Sequence, residues 1–308
     1  MEMKPNFFIV GAARCGTTTL SRCLKRHPQI CFSQPKEPHY FSQMNGKVSF
    51  EHIQTDYLDR FFSHYKPHRH RAMGEGSISY LYSEEAIRAI LQFNPQAKFI
   101  AMIRNPMDMV YSYHYRLLYM LEEDEVDFHK AWDLQGARAQ GRNLPRLCRH
   151  PYLLQYAEVG RFGKYVEQLY RLAGPEKCMV IVFDDFKSQM LDVYKNVLTF
   201  IDVDYDGRTE FPHKQVSKTY RFHWLNRLLW HPPKRVEHAV RKLDKPPKGT
   251  KKRSSVSRVI SKIRQFNVIK KPLPPLNPQM RAILQESYSE DIDKLGQLLR
   301  RDLSHWKK

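Results

Sequence analysis

The stretch Phe7–Leu20 reads FFIVGAARCGTTTL, and its reading decides the fold. Phe7, Phe8, Ile9 and Val10 form a short, unbroken apolar run, the pattern of a parallel strand buried on both faces. A loop of small residues follows, from Gly11 to Gly16, interrupted by Arg14 and Cys15. From Thr17 the spacing predicts a helix to Arg26, with Leu20 and Leu24 on one face. His27-Pro28 stops it.

The same order of strand then helix recurs twice. Phe99 to Ile103 predicts a buried strand beginning at Lys98. Arg104-Asn105-Pro106 is a turn, with Pro106 suited to a first helical position, and the helix continues through Met109, Val110, Tyr113 and Leu117. Met179 to Phe183 predicts a third strand, preceded by a helix over Phe162–Leu172 and followed by one from about Phe186 to Phe200. Strands alternating with helices imply right-handed crossovers. The expected class is α/β, with a P-loop-like, mostly parallel central sheet flanked by helices on both faces. The chain reads as one domain over residues 1–308. Within it lie a basic, Pro- and Lys-rich segment at 211–275 and a C-terminal helix at 278–303.

Gly11 to Thr18 has the spacing of a Walker A loop, G-x-x-x-x-G-K-[ST], except that Thr17 stands where the lysine belongs. The loop still suits an anion. Small residues let the backbone approach, successive N–H groups converge, and the next helix adds a partial positive charge. Arg14 supplies a cation and Thr17, Thr18 and Thr19 supply hydroxyls. A nucleoside triphosphate needs the lysine and Mg²⁺; a less charged phosphosulfate does not. Farther on, Arg104 ends a buried strand and Ser112 follows eight residues later. Arginine offers a planar fork to a phosphate and serine a hydroxyl. Taken alone, Arg104 reads equally as an ion pair with Asp108 at i+4. Asp184 and Asp185 resemble the acids of a Walker B strand, but acids before a helix are ordinary capping residues.

The 308 residues carry a formal net charge of +19. His213 to Lys271 alone holds 18 Lys and Arg against two acids, Glu237 and Asp244. Such a patch suggests an anionic partner or a solvated basic surface. Five cysteines without a CxxC pair argue against a disulfide framework and against a zinc site, and no metal is expected. No apolar run approaches the length of a signal peptide or a membrane span, so the expected address is the cytoplasm.

Together the two anion-binding blocks, about 90 residues apart, resemble the sulfotransferase superfamily that uses 3′-phosphoadenosine 5′-phosphosulfate (PAPS). The style is nearest to its carbohydrate, heparan sulfate and bacterial members. Phe7 to Leu20 looks like the 5′-phosphosulfate loop, and Ile103 to Ser112 (IRNPMDMVYS) like the 3′-phosphate motif. Lys36-Glu37-Pro38-His39-Tyr40-Phe41 looks like the acidic segment after the first helix. The resemblance implies that Arg14, Cys15, Gly16, Thr17, Thr18 and Thr19 bind the phosphosulfate, and that Arg104 and Ser112 bind the 3′-phosphate. Glu37 would be the general base, with His39 as rival, and Arg14 would stabilise the transferring oxygens. Lys248 and Gly249 would belong to a basic loop closing over the nucleotide. The glycan enzymes nearest in pattern place a lysine after the glutamate matching Glu75; here Gly76 stands there, so their acceptor contacts do not transfer. The acceptor would be a hydroxyl or amine of a glycan, glycolipid or natural product. The alternatives are a P-loop nucleotide kinase or NTPase, and a polyanion-binding protein using the basic 213–271 region. The aromatics of that region (Tyr220, Phe222, Trp224, Trp230, Phe266) are spaced more like a packed helix than a stacking platform.

Overall fold

A computed structural model describes residues 4–43, 50–148, 150–211, 218–222, 225, 262–263 and 265–307. The chain divides into two compact units. The first comprises residues 1–111, 155–214 and 277–308; the second comprises 112–154 and 215–276.

The first unit is built on five strands, all parallel: β1 (Phe7–Gly11), β2 (Ile30–Phe32), β3 (Ala72–Glu75), β4 (Lys98–Ile103) and β5 (Cys178–Val182). Their order across the sheet is β2-β3-β1-β4-β5. Every residue of β1 is buried, as its unbroken apolar run demands. β1 pairs with β3 on one side and with β4 on the other, with Phe8 opposite Glu75 and Phe99 respectively. The chain therefore reverses its direction of travel across the sheet at β1. Ligands of open α/β sheets bind beyond the carboxyl ends of the strands at such a point.

Several sequence-based boundaries move. β5 ends at Val182, and Phe183 opens a helix, Phe183–Ser188. The expected single helix to Phe200 is thus two, with Met190–Phe200 following a break at Gln189. The C-terminal helix runs Pro278–Leu299. It stops there because Arg300 turns left-handed (φ 51°) and the Arg301 N–H bonds back to the Gly296 carbonyl, a helix-closing turn. That helix packs on Phe162–Ala173. The Tyr288 hydroxyl donates to the Tyr156 carbonyl at 2.6 Å, and Asp291 accepts from the Gly163 and Lys164 N–H groups at 2.7 and 2.9 Å.

The second unit contains the antiparallel pair β6 (Lys218–Tyr220) and β7 (Val268–Lys270). Tyr220 lies on a strand rather than a helix, and its ring stacks on Tyr119 with centroids 4.7 Å apart. Phe266 lies beneath the Arg221 guanidinium at 4.6 Å. Glu123 and Arg138 form a buried two-point ion pair, both contacts at 2.7 Å. Among the described residues no helix is long and apolar enough to cross a membrane.

Candidate active site

β1 delivers the loop and the helix Thr17–Lys25 receives it. Gly16 adopts φ 94°, a left-handed conformation that glycine takes without strain. A Cβ there would also press within 3.2 Å of Met102 and Phe183. Both constraints select glycine, and they fix where the helix begins. The Thr19 and Leu20 N–H groups donate back to the Gly16 carbonyl at 2.9 and 3.2 Å, and the earlier Thr17 and Thr18 amides have no carbonyl one turn back. Arg14 is half-buried, also with positive φ (62°). Thr17 is buried, Thr19 half-buried and Thr18 exposed.

Arg104 stands at the end of β4, next to β1 in the sheet, and the Ala12 N–H donates to the Met102 carbonyl at 2.7 Å. The charges of Arg104 and Arg14 both act on the buried Cys15 thiol, although burial prevails and pushes it up to about 12. The loop and Arg104 therefore lie at the neighbouring ends of β1 and β4. Arg104 also makes the i+4 ion pair: Nη2 donates to Asp108 Oδ2 at 2.9 Å, with the guanidinium 5.2 Å from the Phe183 ring centroid. Ser112 is buried on the helix Pro106–Met120, within the second unit. Lys248 and Gly249 lie outside the described residues.

The segment Lys36–Phe41 comes to the same loop. Lys36 Nζ donates to Thr17 Oγ1 at 3.3 Å and to Glu37 Oε1 at 2.6 Å. His39 Nε2 lies 3.4 Å from Glu37 Oε2, and its Nδ1 is 2.7 Å from Ser79 Oγ. Glu37 is 32% exposed. Burial works to raise its carboxyl, but the hydrogen bond from His39 and the charge of Lys36 outweigh that and hold it at about 2. Both ring nitrogens of His39 and both carboxylate oxygens of Glu37 are engaged, and the two side chains are equally exposed, so openness does not separate the two candidate bases. A cavity of about 360 Å³, lined by Gln34, Pro35, Pro38, Tyr40, Arg60 and Phe61, adjoins the segment.

Sequence reasoning missed the surroundings of Glu75. At the end of β3 this carboxyl is fully buried. The hydroxyls of Tyr57 and Tyr80 donate to it at 2.6 and 3.1 Å, and Ser77 donates as well. Burial pushes it up to about 7, against those hydrogen bonds. The Ser77 hydroxyl also accepts the His39 N–H at 2.9 Å. The signal in the sequence was faint: an acid just past a glycine, with Tyr57 lying 18 residues before it and Tyr80 five after.

Asp184 and Asp185 do not cap the helix that follows; no side-chain bond closes its start. Asp185 pairs with Arg301 and Asp184 accepts the Trp306 indole N–H at 3.0 Å. Both acids are committed to the C-terminal segment, which corrects the capping expectation.

A family model described as Sulfotransferase domain matches residues 4–222. The chain is 27% identical over 247 residues to Carbohydrate sulfotransferase 15 of Mus musculus, covering 65% of this chain and 44% of that protein. It is 30% identical over 229 residues to Bifunctional heparan sulfate N-deacetylase/N-sulfotransferase 3 of Homo sapiens, covering 71% of this chain and 24% of that protein. The chain thus spans less than half the length of these relatives. The crystal structure of a sulfotransferase from Alicyclobacillus acidocaldarius aligns over 99% of this chain and 100% of that one, with a TM-score of 0.67 and 23% identity, so the two share a fold. With the family match spanning more than half its length, and with the loop, Arg104 and Glu37 gathered at the carboxyl edge of the sheet, the chain belongs to the sulfotransferase domain family, whose co-substrate is PAPS.

Proposed function

We propose that the protein transfers the sulfuryl group of PAPS to a hydroxyl or amine of a glycan, a glycolipid or a natural product. One observation carries the reading: the loop bearing Arg14 leaves β1 beside the end of β4 that bears Arg104, and the Ala12 N–H bond to the Met102 carbonyl holds the two together. Cations at the ends of two adjacent strands suit a ligand with anions at both ends, which the 5′-phosphosulfate and 3′-phosphate of PAPS provide.

In this reading the Gly11–Thr19 loop and Arg14 hold the phosphosulfate, and Arg104 and Ser112 hold the 3′-phosphate. The acceptor oxygen or nitrogen attacks sulfur in line. A new bond to sulfur forms as the bond from sulfur to the phosphate oxygen breaks, and its electron pair leaves with adenosine 3′,5′-bisphosphate. Glu37 takes the acceptor's proton. Arg14 and the loop amides face the charge on the transferring oxygens. The rings of Tyr40 and Phe61 in the cavity beside Pro38, with Arg60 and Gln34 among its polar lining, suit a ring-shaped acceptor that carries an anionic group. The names of the carbohydrate relatives favour a glycan. The five unpaired thiols fit a cytoplasmic protein.

Thermal-shift titration tests the donor. Adenosine 3′,5′-bisphosphate should stabilise the chain and ATP–Mg²⁺ should not; the reverse result overturns the reading in favour of a kinase. Radiolabelled PAPS offered with desulfated heparin, chondroitin, a glycolipid and simple phenols then identifies the acceptor class.

A further inference from the structure

The loop lacks a lysine of its own, yet an ammonium reaches it. Lys36 comes from the segment after β2, 19 residues beyond Thr17, and its Nζ donates to the Thr17 hydroxyl at 3.3 Å. Thr17 occupies the position of the Walker lysine. The same ammonium donates to Glu37 Oε1 at 2.6 Å. Lys36 therefore lies between the candidate base and the phosphate loop, with its side chain 21% exposed.

The path of the stem is built into the fold. The Gly76 N–H donates to the Lys36 carbonyl at 3.0 Å, pinning the segment to the residue after β3. The Lys36 Cε passes directly over Gly76, and a Cβ added to Gly76 would meet it at 3.0 Å, with Ser21 Oγ at 3.1 Å. The absence of a side chain at 76 thus opens the route by which the ammonium reaches Thr17. An ammonium has three donors. Glu37 and Thr17 take two, which leaves one for a ligand in the loop. The charged groups facing Lys36 are Glu37 on its own segment and the buried Glu75 at the end of β3.

We propose that Lys36 is a catalytic residue that supplies a second cation, beside Arg14, to the transfer step, its ammonium meeting the sulfuryl oxygens as the bond from sulfur to the leaving phosphate breaks. The inference rests on the sulfuryl-transfer reading above. Lys36 keeps its proton throughout; Glu37 takes the acceptor's proton, and the bond electrons leave with the phosphate. A sulfuryl group in flight carries its charge on peripheral oxygens, and a fixed cation beside them lowers the barrier.

The test compares the wild-type chain with Lys36→Met, which keeps the length and loses the charge, and Lys36→Arg, which keeps the charge. Calorimetric titration with PAPS and with adenosine 3′,5′-bisphosphate separates the sulfonate from the rest of the ligand. Lys36→Met should weaken PAPS by roughly 10- to 100-fold, the range for a charge-assisted hydrogen bond, and the bisphosphate by less than about threefold. Lys36→Arg should recover part of the loss. With the acceptor identified by the panel, turnover by Lys36→Met should fall by roughly 10²–10³. An equal loss for both nucleotides, or no loss for either, overturns the assignment of Lys36 while leaving sulfuryl transfer standing. If the wild-type chain binds neither nucleotide, the functional reading itself fails and this inference fails with it.

Discussion

The indole N–H of Trp306 donates to Asp184 Oδ2 at 3.0 Å, and the Trp306 carbonyl accepts from the Asn105 side chain at the same distance. One buried tryptophan near the C-terminus thereby ties the end of β5 to the turn that follows β4. Arg301 and Asp185 reinforce it with a two-point ion pair. Trp306→Ala should cost about 3–5 kcal/mol of stability, the range for a large buried aromatic. Urea unfolding measures it. Trp306→Phe, which keeps most of the packing and loses the hydrogen bond, should cost much less.

Glu37→Gln should lower turnover by roughly 10²–10⁴, the usual contribution of a general base. Affinity for adenosine 3′,5′-bisphosphate should stay within a few-fold. Steady-state assays beside calorimetry read both numbers. Undiminished turnover would shift the proton-accepting role to His39 or to the acceptor itself.

Asp108 holds Arg104 in an ion pair, and in the proposed site it competes with the 3′-phosphate for the guanidinium. Partly exposed pairs contribute about 0.5–1 kcal/mol. Asp108→Asn should therefore tighten binding of adenosine 3′,5′-bisphosphate by roughly two- to fivefold. Arg104→Ala should weaken it. Titration of both variants at one ionic strength decides the matter.

Glu75 links stability to pH. Burial raises its carboxyl from an ordinary 4.5 to about 7 in the folded chain. The folded chain then binds the proton more tightly than the unfolded chain does. The associated stability is fully present below about pH 4.5 and is lost as pH rises toward 7, about 3 kcal/mol at most. Glu75→Gln mimics the protonated acid and should flatten this part of the profile. Denaturant midpoints at pH 4.5, 5.5 and 7 for both chains supply the comparison.

The three strands legible in the sequence are β1, β4 and β5, which present long apolar runs. β2 and β3 were not legible. β2 has three residues, Ile30–Phe32. β3 reads AMGE, with a glycine and a carboxylate where strand propensity expects bulk. Tertiary packing explains both oddities. A Cβ on Gly74 would fall within 2.4 Å of the Phe7 ring, and the Tyr57 and Tyr80 hydroxyls satisfy Glu75. The turn from β1 into the helix Thr17–Lys25 was readable because its spacing is local. The reach of Lys36 to Thr17 was not, because it depends on how a segment after β2 folds back over Gly76. The pairing of Asp184 and Asp185 with the C-terminal segment spans more than a hundred residues, and no local pattern announces it.

The helix Phe162–Ala173 begins at Arg161, whose side chain cannot cap it, and Asp291 does so from the C-terminal helix. Residues 162–173 leave the ribosome well before residue 291 is made. Their first turn must wait, uncapped, for the last helix to arrive. Assembly of this side of the sheet therefore follows synthesis of the helix Pro278–Leu299, and a nascent chain stalled short of residue 291 should remain open to proteolysis around Gly163.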